Sequence, residues 1–316
     1  MTAFKLGVYQ GQPVQGNIEG TLQLMEQVIA EAGEKSVQIL VFPELFITGY
    51  LPELWEHVPS QAEEEEWMNR LTQSARQHDV WIVFGHPSYR VSPLSPLDER
   101  SNARVHEGSN ERTDNRIDNY GDSHSDEHIK HPSGPYIPAP FTNGITLLSP
   151  DGVVGTYAKV HLFGDEPKTF VYGSEFPVWD TPFGRVALQS CYDIEFPESA
   201  RMAAVQGAQL LINPANNMSP FGEHHRRYSM VRAMENSLFV ITVNRLGPEK
   251  DIDFCGKTCV AHPEGRWLLE TDREEGLQTT EIDLSDIASL DPSVHYLNQR
   301  RPALYRALIE SKDARQ

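Results

Sequence analysis

The stretch Val37-Gln38-Ile39-Leu40-Val41-Phe42-Pro43-Glu44 decides the fold. A short, mostly apolar run stopped by proline reads as a buried strand, and the carboxylate that follows stands where the strand emerges. Upstream, Asn17 can cap a helix whose apolar residues Leu22, Met25, Ile29 and Ala32 recur at helical spacing, and FKLGV (residues 4–8) reads as the strand before it. Downstream, a helix from about Ala62 carries Trp67, Leu71 and Ala75 in the same period, and VWIVFG (80–85) closes the unit as another strand. Strands alternating with amphipathic helices signal α/β layering, with the strands buried on helices.

The rhythm breaks at residues 98–131, which are dense in Asp, Glu, Arg, Asn, Ser and His. Too little apolar surface is available there to offset chain entropy, so a mobile insertion is expected. His124 and His128 could share a helical turn, but nothing nearby completes a ligand set and a solvated loop is the reading. Order returns with a hairpin of 144–148 and 153–160 around Ser149-Pro150-Asp151-Gly152. Strands at 185–190, 209–212 and 238–243 alternate with helices at 197–206 and 228–237, and a last hairpin pairs 256–262 with 267–270. No linker divides the chain, so one domain (1–285) with a C-terminal extension (286–316) is expected.

Composition bounds the function. The 316 residues carry 27 basic and 45 acidic side chains, a net charge of −18. Such a chain lacks the basic face that nucleic acid requires. No apolar run approaches the ~20 residues that span a bilayer, and the N-terminus lacks signal-peptide character. Three cysteines are too few for a disulfide framework. A cytoplasmic protein without nucleic-acid or membrane partners is expected.

Three reactive side chains each fall at the end of a strand: Glu44, Lys159 and Cys191. Singly, the first two read as surface charges and the third as core. Together they supply a nucleophile, a carboxylate base and a cation for a developing oxyanion. The spacing of Cys255, Cys259 and His262 invites a metal reading, but a strand over 254–261 and the lack of a fourth ligand favour packing.

The segments VFPELFITGY (41–50), GTYAKVHLFGDE (155–166) and QSCYDIEFPESAR (189–201) resemble the three signature segments of the nitrilase superfamily of carbon–nitrogen hydrolases, in the family's order. GAQLLINPAN (207–216), VRAMENSLFVITVNR (231–245) and RRPALY (300–305) extend the match. The resemblance implies a four-layer α-β-β-α sandwich, with Glu44 as general base, Lys159 as oxyanion stabiliser and Cys191 as nucleophile. It implies that Glu166 orients the lysine and that the Tyr192 N–H completes the oxyanion hole. Tyr50, Tyr192, Asn216, Asn217 and Met218 become candidate pocket residues. No metal or organic cofactor is implied, and a homodimer is. Two positions depart from the family pattern: Ala158 stands where arginine is common, and Gln189 where a small or apolar residue is usual.

Tyr192-Asp193 after the cysteine and His161 after the lysine side with the amidase branches. The segments CYDIEFPESAR (191–201), NPANNMSP (213–220), DFCGKT (253–258) and RRPALY (300–305) resemble short-chain amidases of the 5-aminopentanamidase and R-stereoselective amidase kind. The expected function is hydrolysis of a short primary amide through a thioester. A nitrilase or N-carbamoyl amine amidohydrolase is the alternative within the family, and a catalytically inactive binding protein the alternative outside enzymes.

Overall fold

The computed structural model describes residues 3–50, 60–89 and 141–306. The expected insertion, with His124 and His128, lies outside them. The first half contributes β1 (Ala3–Gln10), α1 (Ile18–Glu34), β2 (Ile39–Val41), α2 (Gln61–His78), β3 (Trp81–Tyr89), β4 (Phe141–Ser149) and β5 (Gly152–Ala158). The second contributes β6 (Val178–Thr181), β7 (Gly184–Leu188), α3 (Pro197–Val205), β8 (Leu210–Ala215), α4 (Gly222–Asn236) and β9 (Phe239–Asn244). After these come β10 (Leu246–Glu249), β11 (Ile252–Cys255), β12 (Cys259–Ala261), β13 (Trp267–Glu270) and β14 (Gly276–Asp283).

The long strands form two six-stranded sheets, in the orders β14-β1-β2-β3-β4-β5 and β13-β12-β9-β8-β7-β6. Their facing sides share one apolar core, in which Leu6, Val8, Val41 and Ile145 of the first sheet meet Val186, Leu188, Ile212 and Ile241 of the second. A second core seals α1 and α2 onto the first sheet through Leu22, Met25, Ile29, Trp67 and Leu71. A third seals α3 and α4 onto the second sheet through Ala200, Ala203 and Ala233. The layers therefore run α-β-β-α, as the family resemblance implies.

Capping follows the chemistry of the termini. The Asn17 side chain accepts the Gly20 N–H at the head of α1. Ser60 and Glu63 form a reciprocal capping box at the head of α2.

Several boundaries differ from the sequence reading. Helix α4 begins at Gly222, six residues before the expected start at Tyr228, because its buried face carries His225, Ser229, Arg232 and Asn236 and shows no apolar period. The run 254–261 is not one strand: Lys257 adopts a left-handed φ of 63° between β11 and β12. Strand β14, not anticipated, pairs antiparallel with β1 along its whole length.

Candidate active site

Glu44, Lys159 and Cys191 each stand just beyond a strand, where the ladder ends and side chains are free to converge, and Glu166 opens the 3₁₀ turn Glu166–Lys168. After β2, Pro43 stops the ladder, and the turn carrying Glu44 lies directly on β3. A Cβ on Gly85 would sit 2.3 Å from the Leu45 nitrogen and 2.6 Å from the Glu44 Cα, so only glycine admits this approach. Leu45 adopts φ 44°, and the Gly85 N–H donates to the Pro43 carbonyl (3.2 Å).

Lys159 follows β5 and is held at both ends of its backbone. Its N–H donates to the Asn143 carbonyl (2.9 Å), and its carbonyl accepts from the Gly173 N–H (2.8 Å). Cys191 follows β7 at the head of a single 3₁₀ turn, Cys191–Glu195, which leads into α3. Its φ of 46° is left-handed, an uncommon state for a residue with a side chain. A strand that breaks sharply into a helical turn lifts the side chain clear of the sheet.

Glu44 and Lys159 are wholly buried and Glu166 nearly so, whereas Cys191 keeps partial exposure. The Lys159 ammonium donates to Glu44 Oε1 (2.7 Å) and to Glu166 Oε1 (2.8 Å), so one cation bridges two carboxylates. Glu44 Oε1 also accepts from Asn143 Nδ2 (2.8 Å) and Ser190 Oγ (3.0 Å), and Oε2 accepts from the Asn216 N–H (3.0 Å). Glu166 Oε2 accepts from the Phe163 N–H (3.0 Å).

Burial and charge set the protonation of these groups. Desolvation alone would discharge Lys159, but the Glu166 and Glu44 carboxylates outweigh it and hold its pKa well above the usual lysine range. Burial, reinforced by Glu44 against the opposing pull of Lys159, pushes Glu166 up to about 7. Burial first, then the Glu44 charge, raise the Cys191 thiol well above its ordinary value, while Lys159 and the Asn216 N–H work the other way. The thiol therefore rests protonated beside a carboxylate.

Tyr50 is buried, and its phenol is raised well above the usual range by desolvation and then by Glu166. The Asn216 side chain donates to the Glu44 carbonyl (2.8 Å), leaving its own Oδ1 buried and unpartnered. The Asn217 N–H donates to Asn244 Oδ1 (2.7 Å), and its Nδ2 is buried and unpartnered. Tyr192 packs its ring edge-on against Phe163 and Phe196. Met218 bridges to Phe254 of β11.

The four candidates for chemistry thus meet in one place, with Asn216 bonded directly to Glu44. Sequence reading missed Asn143 and Ser190, both donors to Glu44. Asn143 sits inside an otherwise ordinary strand 99 residues from its partner and carries no local signal. The other cysteines lie apart: the Cys255 thiol donates to the Asn217 carbonyl (3.2 Å), Cys259 is buried on β12, and His262 pairs with Asp286 (2.9 Å). Among the described residues, no cluster of three His, Cys, Asp or Glu side chains is arranged to hold a metal.

A thiol, a buried carboxylate and a fixed ammonium brought together at strand ends can carry acyl transfer by covalent catalysis. The chain belongs to the carbon-nitrogen hydrolase family, whose model matches residues 5–110 and 127–291. It is similar to an (R)-stereoselective amidase of a Pseudomonas species, 30% identical over 88% of this chain and 84% of the relative. It is also similar to a nitrilase of Pyrococcus abyssi, 30% identical over 82% of each chain. Among solved structures, an amidase from Nesterenkonia superposes with a TM-score of 0.73 at 26% identity, covering 96% of both chains. The protein is a carbon–nitrogen hydrolase of the nitrilase superfamily, with the α/β sandwich of these amidases. No helix among the described residues is long and apolar enough to cross a membrane.

Proposed function

We propose that this enzyme hydrolyses short primary amides to the carboxylic acid and ammonia through a thioester on Cys191. The observation that carries the reading is the buried Glu44–Lys159–Glu166 hydrogen-bond chain beside the Cys191 turn. Glu44 Oε1 already accepts three donors, so Oε2, with one, has the capacity to take the thiol proton. Because the thiol rests protonated, that transfer accompanies attack of sulfur on the amide carbon. Lys159 and the Tyr192 N–H hold the oxyanion, and Glu166 keeps the ammonium in place. The carbon–nitrogen bond breaks as Glu44 returns the proton to the leaving nitrogen, releasing ammonia. Glu44 then removes a proton from water, hydroxide adds to the thioester, and the thiolate leaves to recover that proton.

Short primary amides are supported by the Nesterenkonia amidase. One variant shows covalent addition of the acetamide moiety of fluoroacetamide at its active-site cysteine, and another is in complex with butyramide. The Pyrococcus abyssi relative favours a nitrile as the second reading. A homodimer is part of the proposal, since Met202 and Val205 of α3 and Val231 and Met234 of α4 expose apolar side chains on one helical layer.

The test is intact-mass detection of an acyl adduct on Cys191 with matched amides and nitriles. Amide turnover with an adduct, both absent in a normally melting Cys191→Ala variant, is expected; turnover by that variant would overturn the mechanism. Faster nitrile turnover would favour the nitrilase reading. Activity should rise through about pH 7 as Glu166 ionises, because its charge then joins that of Glu44 in holding the Lys159 ammonium. That inflection belongs to the coupled network, and Glu166→Gln should remove it with a loss of ~100-fold in kcat.

A further inference from the structure

Lys159 and Cys191 belong to different sheets. Lys159 leaves β5, an edge strand of the first, and Cys191 leaves β7 of the second. The core between the sheets is apolar. Apolar contact is non-directional and does not by itself fix two side chains to a few tenths of an ångström. Something polar and directional must set their spacing.

One wholly buried carboxylate bonds to the chain near both residues. Asp193 Oδ1 accepts from the His161 N–H (2.9 Å) and from His161 Nδ1 (2.8 Å). Oδ2 accepts from the Tyr157 hydroxyl (2.7 Å) and from the Ser190 N–H (3.0 Å). The same Tyr157 hydroxyl accepts from the Val160 N–H (3.2 Å). The bonded residues are thus 157, 160 and 161 around Lys159, and 190 directly before Cys191. The His161 ring is pinned further by stacking on Phe196, with centroids 3.8 Å apart and planes within 6°. Burial and then the Asp193 charge drive the Tyr157 phenol well above its usual range, so it stays a donor.

We propose that Asp193 is a positioning residue, whose carboxylate locks the exit of the Lys159 strand to the Cys191 turn and so fixes the distance between ammonium and thiol. Its effect on turnover rests on the amidase reading above; its effect on thiol reactivity does not.

Chemistry makes Asp193→Asn a sharp test. Both oxygens are occupied by donors, including one backbone N–H each. An amide in either orientation sets its own NH₂ against the Ser190 or the His161 N–H, neither of which can turn round to accept. The Tyr157 hydroxyl and the His161 ring can adapt; the backbone cannot.

The experiment measures amide hydrolysis and, separately, the pH profile of iodoacetamide alkylation at Cys191, with Cys191→Ala as background. In Asp193→Asn, kcat should fall ~100-fold with KM within ~3-fold, the scale of an ångström of misplacement. The alkylation midpoint should move to higher pH, because a displaced Lys159 no longer favours the thiolate. A neighbouring charge without a positioning role would do the opposite, since removing a negative charge lowers a thiol pKa. A midpoint that is unchanged or moves lower overturns the proposal. If Asp193→Asn does not fold, Tyr157→Phe decides, since it keeps the carboxylate and removes one of its donors. A ~10-fold loss in kcat with the same direction of shift is expected there; wild-type behaviour overturns the proposal. Should no amide be turned over by the wild type, the alkylation arm still tests Asp193 while the amidase reading fails.

Discussion

The two helical layers cover similar sheets with different side chains. In α1 and α2 the buried residues include Leu22, Met25, Ile29, Trp67, Leu71 and Ala75. In α4 they include His225, Ser229, Arg232 and Asn236, while Val231 and Met234 face outward. The polar residues turned inward have specific work. Arg232 donates to the carbonyls of Ile194 (3.1 Å) and Glu195 (2.9 Å), and His225 meets Glu195 Oε1 (3.2 Å). These contacts fall on the turn that carries Cys191. The first layer holds its sheet by area; the second adds to its apolar contacts through Ala200, Ala203 and Ala233 a set of bonds that hold a turn by direction.

Breaking that contrast should have its largest effect at Arg232. Arg232→Met fills similar space but leaves two backbone carbonyls without their donor. A loss of ~3 kcal/mol is expected, at roughly 1–3 kcal/mol per abandoned buried group. A ~100-fold fall in kcat, measured below the melting range, should accompany it, the scale of a displaced nucleophile. An unchanged kcat would make the two layers equivalent.

The opposite outcome is expected of the first layer. Leu71→Ala removes a wholly buried side chain and should cost ~2–5 kcal/mol in denaturant melts. Its kcat at low temperature should stay near wild type, and a large fall would show that the first layer also sets the site. On the outer face, Val231→Glu with Met234→Glu should weaken the proposed dimer at least ~10-fold by sedimentation, since each charge opposes burial of an apolar patch. A monomeric wild type would remove the reason for the outward apolar residues. The smallest effect is at the α2 cap: Ser60→Ala should cost ~1 kcal/mol in melting and nothing in activity.

The same contrast explains what could be read from the sequence. Helices α1 and α2 and strand β2 were legible because apolar period and local punctuation coincide. Glu44, Lys159 and Cys191 were legible because each lies in a short contiguous motif at a strand end, and Glu166 only through the family motif that follows Lys159. The first half of α4 was not, since its polar run carries no apolar period and its inward residue, His225, turns to Glu195 30 positions away. Strand β14 escaped because its partner is β1, at the other end of the chain. Asn143 reaches Glu44 across the first sheet, two strands from β2, and Ser190 reaches it from the second sheet. What depends on long-range closure leaves no local mark.

The left-handed backbone at Cys191 bears on how this enzyme would respond to selection for robustness. A side chain at positive φ is strained by about 1–3 kcal/mol, and glycine relieves most of it. Cys191→Gly should therefore outlast Cys191→Ala on heating, although both lack a thiol. A screen that rewards thermal endurance alone would rank Cys191→Gly above Cys191→Ala, with no regard for the thiol proposed as nucleophile. Stability and turnover are antagonists at a single dihedral angle here, and a stabilisation campaign must leave that residue fixed.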